Sequence, residues 1–571
     1  MKKVNITIDG KMAEVPKGST IMEAASVAGI TIPSLCWMKE INEIAACRIC
    51  VVEISGQEKL YTACNTEVME GMEIHTGSSR VIASRTETLR LLAADHDMDC
   101  DHCIKNNVCR LQELFEEYNV RDASYYFGDD QKKDMPVDDL ACHMIRDPNK
   151  CIKCRRCVSV CEKVQHVAAI GVNGKSADVQ IGPAFERSIA KTNCVGCGQC
   201  ILACPTGALH EADDTEKVYQ ALQDPEQFVI AQTAPSVRVG LGEAFGLSDG
   251  INVQGKMITA IREMGFDAVF DTNFGADLTI MEEAHEFLER LAAGENLPII
   301  TSCCPGWIRF CEQEYPELYK NVSTCKSPHE MTGAMIKSYF ARTQKIDPSR
   351  ITVVSIMPCT AKKHEIRRDD TCTDGIPDVD ISITTREFGR MLEQKNICLS
   401  ELQEGNYDDP LGLSTGAAAI FGISGGVMEA ALRQAANTDQ IDWLKVTSSR
   451  ENEYVKRTTY QINGRNVRTA TVSGLANASE ILEAVKNGCE QLEFIEIMAC
   501  PGGCVNGGGQ PWKLSDEQLN QARRSRKISL HHMDEKSSCR ISGENPAIQK
   551  IYEDFLESAG SPIARKYLHT R

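Results

Sequence analysis

The spacing of the cysteines constrains this chain more than any other feature. Nineteen of its 27 cysteines fall where thiolates suit a shared metal site. Cys36, Cys47, Cys50 and Cys64 form one group, and Cys100, Cys103 and Cys109 follow His96. Cys151-x2-Cys154-x2-Cys157-x3-Cys161 is then repeated as Cys194-x2-Cys197-x2-Cys200-x3-Cys204-Pro205. The last four are scattered: Cys304 in TSCCPGW, Cys359 in MPCTAKK, and Cys500 with Cys504 in MACPGGCVNGGGQ. Two thiolates two residues apart can hold one metal corner while flanking peptide N–H groups offset their charge.

The surroundings of these cysteines favour metal over disulfides. Asn5, Thr7 and Asp9 interrupt the first residues, so no apolar run of signal-peptide length is present there. We therefore expect a reducing cytoplasm, where thiols stay free. No stretch approaches the roughly 18 apolar residues of a membrane span. A net charge of −18 disfavours nucleic acid and anionic membrane surfaces as partners. At 571 residues the chain exceeds one core, and about three to five units are expected.

We place units at 1–80, 81–130, 131–211 and 212–571. The first begins with alternating strands, Val4-Ile6-Ile8 and Met12 to Val15, turning at Asp9-Gly10. A helix follows at Ser19 and Thr20, with Glu23 completing a capping-box pattern. With Cys47-Arg-Ile-Cys50 in a tight loop, this unit resembles a plant-type, β-grasp ferredoxin holding a 2Fe–2S cluster; a zinc site is the weaker alternative. The second unit resembles a 4Fe–4S site of hydrogenases and respiratory NADH dehydrogenases, held by one histidine and three cysteines, where neutral imidazole makes the cluster less negative. Alone, His96 between Asp95 and Asp97 reads as a solvated loop residue; its three cysteine neighbours favour a ligand. The third unit has the spacing of bacterial two-cluster ferredoxins, in which each run's fourth cysteine ligates the other run's cluster. That pattern implies one cube on Cys151, Cys154, Cys157 and Cys204, and another on Cys194, Cys197, Cys200 and Cys161. Glu162 stands where the pattern has proline after Cys161, which removes no ligand.

In the fourth unit, apolar runs at 228–231, 268–270, 297–300, 351–356 and 494–497 lead into TAPSVR, DTNFG, TSCCPGW, MPCTAKK and MACPGGC. Strands alternating with helices imply parallel sheets, whose ligands sit beyond the carboxyl ends of the strands. That topology gathers Cys304, Cys359, Cys500 and Cys504 at one face. Successive side chains in an extended segment point oppositely, so Cys303 and Cys304 should not ligate the same iron. Between 277 and 293 a helix is expected, with its apolar stripe at Leu278, Met281, Ala284, Leu288 and Leu291. Glu283, Glu286 and Arg290 share another face, which by pattern alone reads as solvated, with a Glu286–Arg290 pair.

These motifs together resemble the iron-only (FeFe) hydrogenases, over nearly the whole chain. The resemblance implies a C-terminal α/β hydrogenase domain catalysing reversible formation of H2 from protons and electrons. Its H-cluster would join a 4Fe–4S cluster on Cys304, Cys359, Cys500 and Cys504, through Cys504, to a di-iron unit with CO, cyanide and dithiolate ligands. One 2Fe–2S and three accessory 4Fe–4S clusters would relay electrons. By the same resemblance, Cys304 is the ligand and Cys303 the thiol that hands protons to the iron. Glu283, Ser323 and Glu286, with Arg290 near the surface, match the family's proton channel. Pro235, Ser236 and Lys362 match groups around the dithiolate and cyanides, Met357 and Met498 match hydrophobic walls, and Gly502, Gly503 and Gly507 to Gly509 allow close approach.

Implied partners are ferredoxin or a similar redox protein, maturation proteins, and flavin- and NAD-binding subunits in a multi-subunit, bifurcating alternative. No GxGxxG follows a strand, so the chain should not bind NAD(P)H itself. A hydrogen sensor is the alternative within the class, and Cys303 counts against it. A non-catalytic electron-transfer subunit of the NADH dehydrogenase kind would lack TSCCPGW, MPCTAKK and MACPGGC. Cys142, Cys311, Cys325, Cys372, Cys398, Cys489 and Cys539 match no ligand spacing and read as structural, buried cysteines. Gly543 stands where many relatives are expected to have histidine.

Overall fold

The computed structural model describes residues 2–121 and 134–570. The expected boundary between 130 and 131 lies outside the described residues.

Strands Lys3–Ile8 and Lys11–Pro16 pair antiparallel, and the turn forms because Asp9 and Gly10 both take positive φ, 46° and 80°. They extend a five-stranded sheet with Glu73–His75, Val51–Ile54 and Leu60–Thr62. Helix Ile21–Val27 carries the expected capping box, with Thr20 and Glu23 reciprocally bonded, and buries Ile21, Met22, Ala24 and Ala25 in the core shared with that sheet. Helices Ser79–Asp95 and Arg110–Glu117 lead to and from the His96 loop. In the two-cluster unit, short helices Arg156–Ser159 and Gln199–Ala203 begin after left-handed Arg155 and Gly198. Each turn aims peptide N–H groups toward the cysteine run that contains it.

The catalytic unit holds two sheets. One is wholly parallel, in the order Ala268–Asp271, Phe228–Thr233, Ile351–Met357, Ile381–Thr384. In the other, Ile299–Ile300, Phe494–Met498 and Arg465–Ser473 run parallel, while Val455–Ile462 and Lys445–Arg450 continue antiparallel. The sequence reading contains all five loop-bearing strands, but not Ile381–Thr384 or the antiparallel hairpins between 445 and 473.

Helix Thr272–Ala293 runs between the helices Pro328–Met335 and Gly426–Ala436. It starts earlier than expected because Asp271 caps it, accepting from the Asn273 N–H, and it ends at left-handed Gly294. Fourteen of its 22 residues are buried, so it has no solvated face along most of its length. The expected apolar stripe is buried at Leu278 and Ala284, but Glu282, Glu283 and Glu286 are buried as well. Among the described residues, no helix is long and apolar enough to cross a membrane.

Candidate metal centres and proton path

The cysteine groups assemble as their spacing suggests. Cys36, Cys47, Cys50 and Cys64 are all buried, and their thiols contact in pairs, Cys36 with Cys47 and Cys50 with Cys64. The hydrogen bond from Cys36 pulls the Cys47 thiol below its ordinary value. His96, Cys100, Cys103 and Cys109 line one pocket together with Lys105 and Gly207. A Cβ on Gly207 would come within 2.7 Å of Cys103 Sγ, so this backbone approaches where a side chain cannot.

Cys151, Cys154, Cys157 and Cys204 line another pocket, and Cys161 is not among its lining residues. Cys161 instead lies among Cys194, Cys197 and Cys200, whose thiols feel its charge. In space the thiols therefore group across the two runs, Cys204 with Cys151, Cys154 and Cys157, and Cys161 with Cys194, Cys197 and Cys200. Burial pushes Cys151 and Cys194 up to about 11. Four sulfurs around one largely enclosed space are a donor set that suits iron–sulfur ligation, because a multivalent cation offsets the cost of desolvating thiolates.

The Cys194 run packs directly on the loops that carry Cys359 and Cys504. A Cβ on Gly198 would meet Thr360 Oγ1 at 2.5 Å and Gly508 Cα at 2.8 Å. Thr360 Oγ1 donates to the Gly196 carbonyl at 2.7 Å, and Gln199 Nε2 to the Asn506 carbonyl at 2.9 Å. Strand ends then deliver the scattered cysteines. Cys304 follows Ile299–Ile300, Cys359 follows Ile351–Met357, and Cys500 follows Phe494–Met498. Burial, then the charges of Cys359, Cys504 and Cys304, hold the Cys500 thiol well above its ordinary range. Burial and then the charge of Cys304 lift Cys359 to about 11.

The chain also suits a further group beside these four thiols. Ser236 Oγ is buried with no hydrogen-bond partner among the described residues. Pro235 and Ser236 open the short helix after Phe228–Thr233, and Gln510 Nε2 fixes the Ser236 carbonyl at 2.8 Å. Gly503 adopts φ 103°, and a Cβ there would strike Ser424 N at 2.6 Å. Met357 and Met498 are each 2% exposed. Lys362 Nζ donates to Ser327 Oγ at 2.8 Å, Glu365 Oε2 at 2.6 Å and the Cys303 carbonyl at 3.3 Å. An orphaned hydroxyl, a side-chain-free backbone and a buried cation form a cradle that fits an anionic, multi-ligand iron unit.

Cys303 and Cys304 point apart, as alternation requires. The Ala499 N–H donates to Cys304 Sγ at 3.4 Å, whereas Cys303 packs with Ala276, Ile280 and Met498. Burial and then the Glu283 carboxylate raise the Cys303 thiol well above its ordinary value. Glu283 is 1% exposed, and neither of its carboxylate oxygens has a hydrogen bond among the described residues. Burial, then the charge of Glu286, pushes it up to about 8. Ser323 Oγ donates to Glu286 Oε2 at 2.8 Å, and Arg290 donates to Glu286 Oε1 at 2.5 Å.

The solvated-face reading of this helix is therefore overturned, although its Glu286–Arg290 pair is present. Residues 321–325 and strand Phe494–Met498 cover the face. Helical periodicity shows which residues share a side, but not which elements will close over it.

Several residues near the site escaped the sequence reading. Glu496 is fully buried, accepts from the N–H groups of Gly425 and Met428 at 2.6 and 2.9 Å, and is lifted by burial to about 7. Glu365 binds Lys362 and also His329 Nε2 at 2.6 Å, and Glu330 Oε1 lies 3.1 Å from the same nitrogen. The Lys-x-x-Glu spacing of AKKHE signalled only the first of these pairs. Among the unassigned cysteines, Cys311 and Cys325 are buried, but Cys372, Cys398 and Cys489 are exposed, so the buried reading fails for those three. Cys372 sits in a two-residue surface strand, and the other two follow the ends of helices Thr385–Gln394 and Leu475–Lys486. The Gly543 N–H donates to Gln434 Oε1 at 2.8 Å.

Residues 227–508 match the family described as iron only hydrogenase large subunit, C-terminal domain, and 520–571 match iron hydrogenase small subunit. Residues 1–79, 85–124 and 150–208 match a 2Fe-2S binding domain, an NADH-ubiquinone oxidoreductase-G iron-sulfur region and a 4Fe-4S dicluster domain. An NADP-reducing hydrogenase subunit of Solidesulfovibrio fructosivorans is 43% identical over 100% of this chain and 99% of its own. Iron hydrogenase 1 of Clostridium pasteurianum is 38% identical, covering 99% of both chains. Among solved structures, an apo [FeFe]-hydrogenase of Chlamydomonas reinhardtii is 38% identical with a TM-score of 0.55, covering 62% of this chain and 98% of that one. With the catalytic loops assembled on parallel sheets and full-length relatives on both counts, the chain belongs to the iron-only (FeFe) hydrogenases.

Proposed function

We propose a specific division of labour within this hydrogenase, whose reaction is the reversible formation of H2 from protons and electrons. Cys36, Cys47, Cys50 and Cys64 hold one 2Fe–2S cluster, and His96, Cys100, Cys103 and Cys109 hold one 4Fe–4S cluster. The crossed runs hold two more, with the Cys194 cube innermost. Cys304, Cys359, Cys500 and Cys504 hold the H-cluster, which supplies the redox centre where protons and electrons combine.

The chain's own residues handle position and protons. Lys362, Ser236 and Pro235 orient the di-iron unit, while Met357 and Met498 exclude water from it. Cys303 Sγ gives up a proton toward that centre and regains one from a Glu283 oxygen. Glu283 is refilled from Glu286 across the Ser323 hydroxyl, with Arg290 holding Glu286 at the rim. The observation that supports this most is the buried, unbonded Glu283 carboxylate, held near neutral pH between Cys303 and Glu286. A group poised there can exchange protons in both directions.

The reading places electron exchange outside the chain, with separate flavin- and nicotinamide-binding subunits, and with ferredoxin as a second one-electron partner. It rests on the full-length similarity to a subunit of an NADP-reducing hydrogenase and on the lack of a dinucleotide fingerprint here. A cytoplasmic setting and dedicated maturation proteins complete it. The test supplies the matured chain alone with reduced ferredoxin or with NADPH and reads H2. Evolution from ferredoxin but from NADPH only after a flavoprotein is added is expected; brisk evolution from NADPH by the chain alone overturns it.

A further inference from the structure

Three of the proposed metal groups meet in one packed cluster of side chains. Cys36, Cys47, Cys109 and Cys154 share it with Leu35, Ile49, Leu89 and Leu111. At its edge lies Asn42, fully buried although the sequence places it in the polar stretch KEINE. Its backbone is pinned by two hydrogen bonds with Met38, at 2.8 and 3.0 Å. Its side-chain amide donates to two carbonyls at once, that of Cys36 at 2.6 Å and that of Cys154 at 3.1 Å. Ser159 Oγ donates to Asn42 Oδ1 at 2.8 Å, which fixes which way the amide faces. One side chain therefore ties the backbone of a ligand in the N-terminal group to that of a ligand in the first cube.

We propose that Asn42 is the positioning residue that couples the 2Fe–2S cluster electronically to the Cys151–Cys204 cube. The proposal rests on the ligand assignment given above. Electron tunnelling falls steeply with through-space gaps and is carried better by bonds and hydrogen bonds. The bridge offers an unbroken route: Cys36 side chain and carbonyl, Asn42 amide, Cys154 carbonyl and side chain. In the step, one electron leaves the reduced 2Fe–2S cluster and reduces the oxidised cube; no proton moves and no bond between heavy atoms is made or broken. A buried amide with its donors and acceptor all used is rigid, so the two ligands keep a fixed separation. Two other contacts join the same units without touching both ligands. Arg156 donates to the Trp37 carbonyl at 3.0 Å, and Lys163 Nζ to the Ile41 carbonyl at 2.8 Å.

The experiment uses the full matured chain. Electrons are delivered by a reduced donor protein, and freeze-quench electron paramagnetic resonance follows the 2Fe–2S signal decaying as the cube signal grows. Asn42→Leu keeps the volume and removes the bridge. We expect both signals and the iron content to survive while the transfer slows several-fold. Lys163→Met loosens the docking of the units alone and should leave the rate unchanged. Wild-type transfer in Asn42→Leu overturns the proposal, as does equal slowing in Lys163→Met. Should Asn42→Leu lose the 2Fe–2S signal, Ser159→Ala decides: it leaves Asn42 in place but frees the amide to turn, so slower transfer supports the bridge and an unchanged rate overturns it. A wild-type chain with no 2Fe–2S signal would instead refute the ligand assignment.

Discussion

Glu283→Gln should stabilise this protein in alkaline solution while disabling it. The ordinary carboxyl titrates at 4.5, but burial, then the charge of Glu286, raises folded Glu283 to about 8. Unfolded, the group loses its proton near 4.5; folded, it keeps it until about 8. Between those values the native state binds more protons than the unfolded one, so stability falls as pH rises and levels off above about 8. At about 1.4 kcal/mol per pH unit, the interval from 4.5 to about 8 is worth at most roughly 5 kcal/mol. Glutamine has nearly the same shape and never ionises, so the variant escapes this loss. At roughly 2 °C per kcal/mol for a large domain, its melting temperature should exceed the parent's by up to about 10 °C near pH 8.5 and match it near pH 5. Calorimetry of both proteins across that range reads the difference directly, since every other titrating group cancels. Hydrogen turnover should meanwhile fall by about 10²-fold or more, because an amide cannot relay protons. Parallel melting curves across the whole range would show that Glu283 is not held protonated by the fold. Undiminished turnover would remove it from the proton path.

Cys303→Ser should keep every iron–sulfur signal and lose most turnover, because a hydroxyl is a far weaker acid than a thiol; loss of the 4Fe–4S signal at unchanged activity per iron would mean that Cys303 and Cys304 have exchanged roles. Gly207→Ala should selectively remove the cluster of the His96 loop, since its methyl would meet Cys103 Sγ at 2.7 Å, and an unchanged set of paramagnetic signals would refute that. Deleting residues 1–80 should remove one 2Fe–2S signal and slow exchange with protein donors, while a small artificial donor still drives H2 evolution. Asp271→Asn should cost about 3–5 kcal/mol in chemical denaturation, because it leaves the fully buried Arg238 guanidinium without the carboxylate that meets it at 2.6 Å; a loss below about 1 kcal/mol would count against that ion pair.

The cysteine groups of this protein were legible in the chain because their information is local. Cys-x2-Cys places two thiols on one turn, while the crossing of each run's fourth cysteine came from the resemblance to two-cluster ferredoxins. The vicinal Cys303-Cys304 pair was equally legible, since extended backbone turns successive side chains to opposite sides. The β-strands that carry unusual loops could be found from those loops, but Ile381–Thr384 and the hairpins from 445 to 473 carry none and passed unseen. Whether a polar face is wet or dry is decided by what lies across from it. Glu283 and Glu286 have the spacing of an ordinary solvated pair, yet they are buried because residues 321–325 and strand Phe494–Met498 close over them. Asn42 and His329 belong to the same class. Their partners, Cys154 and Glu365, are 112 and 36 residues away, and a hydrogen bond formed across that separation leaves no periodic trace in the sequence. The residues alone determined which thiols fall at the spacing of a shared metal site. Tertiary packing determined which polar groups share a dry interior, and with that the paths open to protons and electrons.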